Sequence, residues 1–286
     1  MNDISVETKS DIIEEYGNSI IHHGKQNNRI YLLKYDFKDD QQMLLDRLIK
    51  LAKENGYTKI ISKVPAKVLP GFLNAGFHIE AYVPGFYYGT DDGFFMAYFL
   101  TEERGKPELD VMNAFQEALK KQSKAWDFAA EGEEEEMRLL KNTDVRSITE
   151  LYTKVFKSYP FPIHEEDYVL ETMKTHVDYY GIFENGELIA VSSAEKDPGY
   201  GNAEMTDFAV NPDYRGRNLA GKLLHLMENE LRKQGVKTAY TIARLHSIPM
   251  NVTFLKSGYR YSGTLVRNTN ISGAIESMNV LYKSLI

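Results

Sequence analysis

Apolar residues recur along this chain at two periods, and the change from one to the other predicts helices that alternate with strands. Between residues 219 and 233 a leucine or methionine returns every four positions, which predicts an amphipathic helix. Short apolar runs bounded by glycine, proline or asparagine predict strands at 179–183, 188–193, 204–210 and 238–243. Asn185-Gly186, between the first two runs, is a strong hairpin signal. The second half of the chain is therefore predicted to be a mixed α/β domain.

The same patterns extend the prediction to the rest of the chain. In the second half they predict helices at 144–156, 165–175 and 249–257, and a final hairpin at 259–265 and 274–282. In the first half they predict a strand at 30–35 and helices at 41–54 and 107–126. An acidic run at 133–136 separates the two parts, and it is more typical of a solvated linker than of a binding surface.

Parts of the first half repeat the second half. The segment 55–61 resembles 234–240, and 72–77 resembles 254–259. In each pair, the end of a predicted helix is followed by a glycine and the start of a predicted strand. In both copies a hairpin with a polar loop comes next. We therefore expect a degenerate domain at residues 1–130 and a complete one at residues 131–286. Chance similarity in the order of helix, glycine and strand is the alternative.

The strand–turn–helix segment 208–221 has the features of a phosphate site. An apolar strand is followed by a turn rich in arginine and glycine, and then by the amphipathic helix. Free N–H groups and the positive end of the helix dipole meet at such a turn, where Arg215 and Arg217 add charge. The corresponding stretch 36–40 of the first half carries three aspartates, which would repel a phosphate. One such site is therefore expected per chain.

This turn resembles the signature Q/R-x-x-G-x-G/A of the GCN5-related N-acetyltransferases (GNATs). Arg215 takes the first position and Ala220 the last, while Asn218 replaces the middle glycine and tolerates a left-handed backbone. Over about residues 135–286, the resemblance implies an α/β (α+β) GNAT fold, with a mixed, mostly antiparallel sheet flanked by helices, and acetyl-CoA as co-substrate. The implied acetyl-CoA contacts are Phe208, Ala209, Val210, Arg215, Gly216, Arg217, Asn218, Leu219, Ala220, Gly221, Asn251 and Phe254.

Acetylation of an amine needs a base for the ammonium and donors for the developing oxyanion. The resemblance implies Glu204 as the base, acting through water, and backbone N–H groups at 209–210 as the oxyanion donors. Asp207 is the expected contact for the substrate ammonium. A regular strand would turn Asp207 to the face opposite Glu204, and a bulge would change that parity.

The leaving thiolate also benefits from a proton. Phe254 stands where the family often has a tyrosine, and phenylalanine has no proton to give. Tyr259 is therefore the candidate acid, with Tyr240, Tyr261 or solvent as alternatives. Asn251 resembles the family's CoA-contacting asparagine, and a polar residue at a helix N-terminus is the other interpretation.

Taken whole, the chain resembles the β-lysine N6-acetyltransferases, through the segments 17–21, 28–31, 249–254 and 268–279. The resemblance implies acetyl transfer to the side-chain amine of β-lysine, which gives N6-acetyl-β-lysine, a compatible solute. Glu276 is a further candidate for the ammonium, and Arg244 or Arg267 for the carboxylate. An acetyltransferase for another small amine or a protein N-terminus, and a non-catalytic CoA-binding module, are the alternatives.

Composition narrows the function classes. The 286 residues include no cysteine, which excludes disulfides and thiolate metal sites and suits a reducing compartment. A net charge of −7 argues against a nucleic-acid partner. The sequence has neither a signal peptide nor a bilayer-spanning apolar run, so no membrane partner and a cytoplasmic location are expected. No histidine has metal-ligand spacing, so no metal is expected. A small-molecule amine is the expected partner, and a homodimer stays open.

Overall fold

Two mixed β-sheets, one from each half of the chain, form the framework of the protein. The computed structural model describes residues 11–120, 135–157, 159–271 and 273–286. The first sheet has six strands in the order β1-β2-β3-β4-β6-β5, and only β3 and β4 run parallel. Its strands are β1 Ile12–Tyr16, β2 Ser19–Gly24, β3 Arg29–Lys34, β4 Lys59–Pro65, β5 His78–Tyr87 and β6 Asp91–Phe99.

Helices α1 Gln41–Glu54 and α2 Leu69–Asn74 accompany the first sheet, and α3 Leu109–Lys120 follows it and packs its Phe115 into the core of the second half. Helix α1 has the bounds that the apolar pattern predicts, and it buries Leu44, Leu45 and Leu48 against the sheet. The prediction of a helix at 107–126 is confirmed for α3, while residues 121–126 lie outside the described residues.

The second sheet has seven strands in the order β12-β13-β11-β10-β9-β8-β7, and only β10 and β11 run parallel. Its strands are β7 Glu136–Leu139, β8 Val177–Glu184, β9 Glu187–Asp197, β10 Asn202–Val210, β11 Thr238–Arg244, β12 Arg260–Ile271 and β13 Ala274–Ser284. Its helices are α4 Val145–Val155, α5 Glu166–Thr175, α6 Leu219–Lys233 and α7 Ile248–Lys256. The predicted mixed, mostly antiparallel sheet flanked by helices is confirmed.

The two sheets share one topology. The order β1-β2-β3-β4-β6-β5 corresponds to β8-β9-β10-β11-β13-β12, and the parallel pair stands at the same place in both. Helix α1 joins the parallel strands of the first half as α6 joins those of the second, and α2 corresponds to α7. This correspondence supports a degenerate copy in the first half. The copy and its boundary at residue 130 remain a proposal, because residues 121–134 lie outside the described residues.

Helix α6 is fixed to the second sheet by its leucine stripe. Leu219, Leu223, Met227 and Leu231 are at most 2% exposed and pack with Met205 of β10. Each such side chain contributes roughly 1.5–3 kcal/mol when it is fully buried. Because the stripe anchors the whole helix, its N-terminus is held at a fixed point beside the end of β10.

The two halves are packed against each other through their sheets. Tyr31, Val83 and Phe86 of the first half form one buried cluster with Tyr240 and Val280 of the second.

The edge strands β5 and β12 meet at this contact. Ser262 accepts from the Tyr82 N–H at 2.9 Å and donates to the Tyr82 carbonyl. A Cβ at Gly263 would overlap the carbonyl oxygen of Glu80, so this backbone approach requires glycine.

Candidate functional site

The strands β10 and β11 separate into a cleft part of the way along their length. They pair in register only from Asn202 to Glu204, opposite Thr238 to Tyr240. Beyond Glu204 the two strands diverge around a cleft of about 340 Å³, lined from one side by Asp207 and Phe208 and closed by Phe254 of α7. Backbone groups of β10 that would pair with β11 are open here, where the oxyanion donors Ala209 and Val210 are expected.

A β-bulge lies in the cleft-lining part of β10. The register against β9 shifts between Thr206 and Ala209, and Asp207 has a left-handed backbone with φ of 56°. The bulge changes which side chains of β10 share a face, a point that the sequence did not decide. Both Asp207 and Glu204 act electrostatically on the hydroxyl of Tyr159, which lies in the segment before α5. The two predicted carboxylates are therefore neighbours at one end of the cleft.

Hydroxyl groups hold the Asp207 carboxylate in place. Ser193 donates to its Oδ2 at 2.6 Å, Tyr159 donates to Oδ1, and Thr206 donates to Oδ1 at 3.2 Å. Burial raises the pKa of Asp207, and the hydrogen bonds from the three hydroxyls oppose that rise. A carboxylate fixed in this way is suited to orient a cation.

Glu204 lies in the last paired position of β10 before the cleft, opposite Tyr240, and is partly buried. Burial, with a smaller contribution from the Glu195 carboxylate, raises its pKa to about 8, while Lys63 and the Tyr240 hydroxyl oppose the shift. Lys63 comes from β4 of the first half and donates from Nζ to the Tyr240 hydroxyl at 3.1 Å. A carboxyl with its pKa near neutrality can accept a proton and release it again.

The turn before α6 is shaped to receive an anion. Gly216 and Asn218 have left-handed backbones with φ of 84° and 57°, and no side chain caps the helix N-terminus. The Asn218 Nδ2 atom is buried without a hydrogen-bond partner among the described residues. A Cβ at Gly221 would lie 2.5 Å from Asn218 Oδ1, so the glycine makes room for this side chain. These features fit a pyrophosphate at the turn.

The two arginines of the turn differ in their contacts. Arg215 is exposed at the turn. Arg217 donates to Glu135 at 2.6 Å and to Glu184 at 2.7 Å. Part of its charge is therefore neutralised, and Arg215 is the stronger candidate for a phosphate contact.

Three predicted residues are occupied by internal contacts. Arg244 lines the cleft, but its Nε and Nη2 donate to Glu276 at 2.9 and 2.7 Å, so the two residues partner each other. Asn251 is fully buried and donates to the carbonyls of Arg244 and Ser247 while it accepts from Asn279. The structure gives Asn251 the role of fixing the start of α7, which differs from the expected CoA contact.

Two predicted residues lie outside the cleft, and we correct these expectations. Tyr259 packs beneath α6, 3% exposed, where its ring contacts Phe254 and its neighbour is Glu228. It follows a glycine at the end of α7, so its side chain enters the helix-facing core. Arg267 lies between the halves, where its carbonyl accepts from Arg104 and its guanidinium pairs with Glu103 at 3.2 Å.

Sequence reasoning missed Tyr159, Ser193 and Lys63. Tyr159 stands in a proline-rich turn, and Ser193 lies within an apolar strand; neither has a motif around it. Lys63 belongs to the half that was expected to lack chemistry. Across the described residues, no group of three or more His, Cys, Asp or Glu is arranged to hold a metal. None of the helices described is long and apolar enough to cross a membrane.

Comparisons with known proteins agree with this geometry. The profile described as "Acetyltransferase (GNAT) family" matches residues 145–254. The β-lysine N(6)-acetyltransferase of Methanococcus maripaludis is 37% identical over 95% of this chain and 98% of its own length. The N-acetyltransferase YodP of Bacillus subtilis is 30% identical over 93% of this chain and 96% of its own length.

A solved structure similar to this chain is the ribosomal-protein-S18-alanine N-acetyltransferase from Escherichia coli. It has a TM-score of 0.47 and 17% identity, and it covers 53% of this chain and 94% of that one.

Proposed function

The chain belongs to the GNAT family of N-acetyltransferases, and we propose that it transfers the acetyl group of acetyl-CoA to the side-chain amine of β-lysine. The observation that carries the proposal is the cleft between β10 and β11. Asp207 lines the cleft, Glu204 precedes it on β10, and the uncapped N-terminus of α6 follows β10 along the chain. This arrangement suits a substrate that is anionic at one end and meets a cation at the other.

Acetyl-CoA would lie along the open side of β10. Its pyrophosphate would sit at the turn, against Arg215, the Gly216 backbone and Asn218 Nδ2. Its pantetheine arm would run past Phe208 towards Ala209 and Val210, where backbone N–H groups on the side of β10 that faces β11 would stabilise the oxyanion. Leu219, Ala220 and Gly221 form the first turn of α6 and set the position of this anion site.

Glu204 would remove the proton that the substrate ammonium must lose before its nitrogen can attack. Its raised pKa suits this task near neutral pH. Asp207 would hold the ammonium in place before the proton leaves, and would then orient the neutral amine while the N–C bond forms and the C–S bond breaks. The thiolate of CoA would take its proton from solvent, because Phe254 has no proton to give and Tyr259 lies in the core.

β-Lysine is the first candidate because the M. maripaludis relative, which matches 95% of this chain, is named for that substrate. A carboxylate-free diamine is a second candidate, since the Arg244 guanidinium is already paired with Glu276. A diamine would use Asp207 and would need no cation from the protein. The two substrates therefore differ in their demand on Arg244.

Release of free CoA from acetyl-CoA, measured with β-lysine, α-lysine and 1,4-diaminobutane side by side, tests the proposal. We expect a kcat/KM for β-lysine at least tenfold above the other two. In Arg244→Met this preference should fall, while turnover of the diamine should stay within about twofold. A wild-type preference for the diamine would overturn β-lysine as substrate and leave acetyl transfer intact.

A further inference from the structure

A second cavity, of about 180 Å³, lies in the first half at the position equivalent to the acetyl-CoA cleft. The registers of the two parallel pairs give the equivalence: Glu204 lies opposite Tyr240 in one, and Tyr31 lies opposite Ile61 in the other. Two residues beyond these pairs, the strands of each half diverge around a cavity. The first half has therefore kept the cleft that its topology creates.

This cavity is closed to an anion such as pyrophosphate. Asp40 caps α1 by accepting from the Met43 N–H at 2.8 Å, so the helix N-terminus already carries a carboxylate. Asp39 accepts from the Asn18 N–H at 2.9 Å and from the Ser19 hydroxyl at 2.6 Å. The loop that would bind phosphate is thus filled by its own aspartates, and its field is negative.

The walls of the cavity are largely aromatic and carry charges of both signs, including the side chain of Lys63. Tyr35, Phe37, Tyr87 and Tyr200 contribute rings, and Tyr87 and Tyr200 stand edge to face with centroids 4.8 Å apart. Asp197 comes from the end of β9, so the cavity is built by both halves. Faces of aromatic rings beside carboxylates form an environment that attracts an ammonium group.

Two further residues complete the cavity at its rim. Asp91, from the start of β6, and Lys34, from the end of β3, are exposed and line it from opposite strands. The Tyr88 N–H donates to the Tyr200 carbonyl at 2.6 Å, which ties the β5–β6 turn to the β9–β10 turn across the mouth. A negative and a positive group therefore flank one aromatic chamber, and that chamber is held in shape by a backbone hydrogen bond.

We propose that this cavity is a second ligand site, which binds a small zwitterionic amino acid. Its ammonium group lies against the Tyr87 and Tyr200 rings and Asp197, and its carboxylate lies at Lys34. The volume suits a molecule of amino-acid size and excludes CoA. The site has its own opening and shares one wall residue, Lys63, with the surroundings of Glu204.

Titration calorimetry with β-lysine and with α-lysine tests the site, in the full chain without acetyl-CoA. For at least one of the two probes we expect two ligands per chain in wild type, and one in the double variant Asp91→Asn/Asp197→Asn. The amide introduced by Asp197→Asn keeps the acceptor that Asp197 Oδ1 offers to the Tyr200 N–H at 3.2 Å, so the turn stays folded. Glu15→Gln, at an exposed carboxylate on β1, is the matched control and should keep both sites.

Crystals soaked with the bound probe locate the site independently of any turnover. Density in the cavity beside the Tyr87 and Tyr200 rings supports the proposal even where neither lysine is acetylated. One ligand per chain for both probes, with density only between β10 and β11, would overturn it. Unchanged stoichiometry in the double variant would overturn it as well.

Discussion

The same strand–turn–helix unit occurs twice in this protein, with opposite chemistry at its turn. After β10, the turn has left-handed Gly216 and Asn218, and the N-terminus of α6 has no side-chain cap. After β3, Asp40 caps α1 with its own carboxylate. Both units have the same strand order and the same buried helix stripe. The comparison teaches that topology creates a cleft, whereas a few turn residues decide whether it can receive a phosphate.

The contrast continues along the strands that carry the turns. Glu204 on β10 and Tyr31 on β3 hold equivalent places in the two parallel pairs. Burial raises the pKa of Tyr31 well above the usual range for tyrosine, and the nearby Glu204 carboxylate adds to the shift. Tyr31 therefore stays protonated and cannot act as a base near neutral pH. Among the described residues, the proposed base and the uncapped helix N-terminus occur together in the second half.

The largest expected effect on this difference between the halves comes from removing the proposed base, Glu204. In Glu204→Gln we expect kcat/KM to fall about 100- to 10,000-fold, the range for loss of a general base. The KM for acetyl-CoA should stay within about twofold, because the turn is untouched. Steady-state assays of CoA release measure both quantities.

Glu195→Gln is the matched control. Glu195 lies opposite Glu204 on β9, and its replacement by glutamine makes the same change in charge. We expect it to keep at least a third of the wild-type kcat at its own pH optimum. An equal loss in the two variants would show that local charge, and not the Glu204 carboxylate, carries the activity.

The junction between the halves should be sensitive to loss of one buried charge. Lys59 Nζ and Glu80 Oε2 are 2.7 Å apart, and their side chains are 0% and 6% exposed. Glu80 also accepts from the Val266 N–H at 2.7 Å, so it ties β4 to β12. Glu80→Ala leaves the Lys59 ammonium unpaired and should lower the free energy of unfolding by about 3–5 kcal/mol. Urea unfolding followed by circular dichroism measures this loss.

An exposed pair provides the control for that experiment. Lys50 and Glu54 lie 3.8 Å apart on the surface of α1. Glu54→Ala should change the free energy of unfolding by less than about 1 kcal/mol. Equal losses in the two variants would mean that burial gives the Lys59–Glu80 pair no greater effect on stability than an exposed pair has.

The anion site can be reversed in charge at one exposed residue. Arg215→Asp places a carboxylate at the α6 turn, and we expect the KM for acetyl-CoA to rise about tenfold, since one charge-assisted hydrogen bond is replaced by repulsion. Lys38→Asp makes the same change in the corresponding loop of the first half, which is exposed and already acidic. It should leave this KM unchanged. A matching rise in Lys38→Asp would argue for a long-range field effect.

Sequence patterns were sufficient for the parts of the site that are local in the chain. The leucine stripe predicted α6, and the substitution at Asn218 was compatible with the left-handed backbone that the structure has. The bulge at Asp207 was left open, because Thr206-Asp207-Phe208 has no glycine to mark it.

Contacts between distant segments could not be predicted in this way. Tyr159 reaches Asp207 across 48 positions, and Lys63 reaches Tyr240 across 177. Periodicity shows which face of an element is buried, but it does not show which other element covers that face. The expectation that Tyr259 lies in the cleft failed for the same reason, since an aromatic residue after a glycine suits a cleft or a core equally well.

The smallest expected effect is the influence of Lys63, a residue of the first half, on the pKa of Glu204 in the second half. Lys63 contacts Tyr240 and lowers the pKa of Glu204, whereas Glu195 raises it. Without the Lys63 ammonium, the ionised form of Glu204 loses a stabilising charge, its pKa rises, and the base becomes available only at higher pH. The acidic limb of the kcat/KM profile should therefore move up in Lys63→Met and down, by somewhat more, in Glu195→Gln. Lys67→Met, at an exposed lysine of the same half, is the control and should leave the limb in place. Shifts of the same sign in Lys63→Met and Glu195→Gln would show that Glu204 does not set this limb, and that the first half supports the site only by packing.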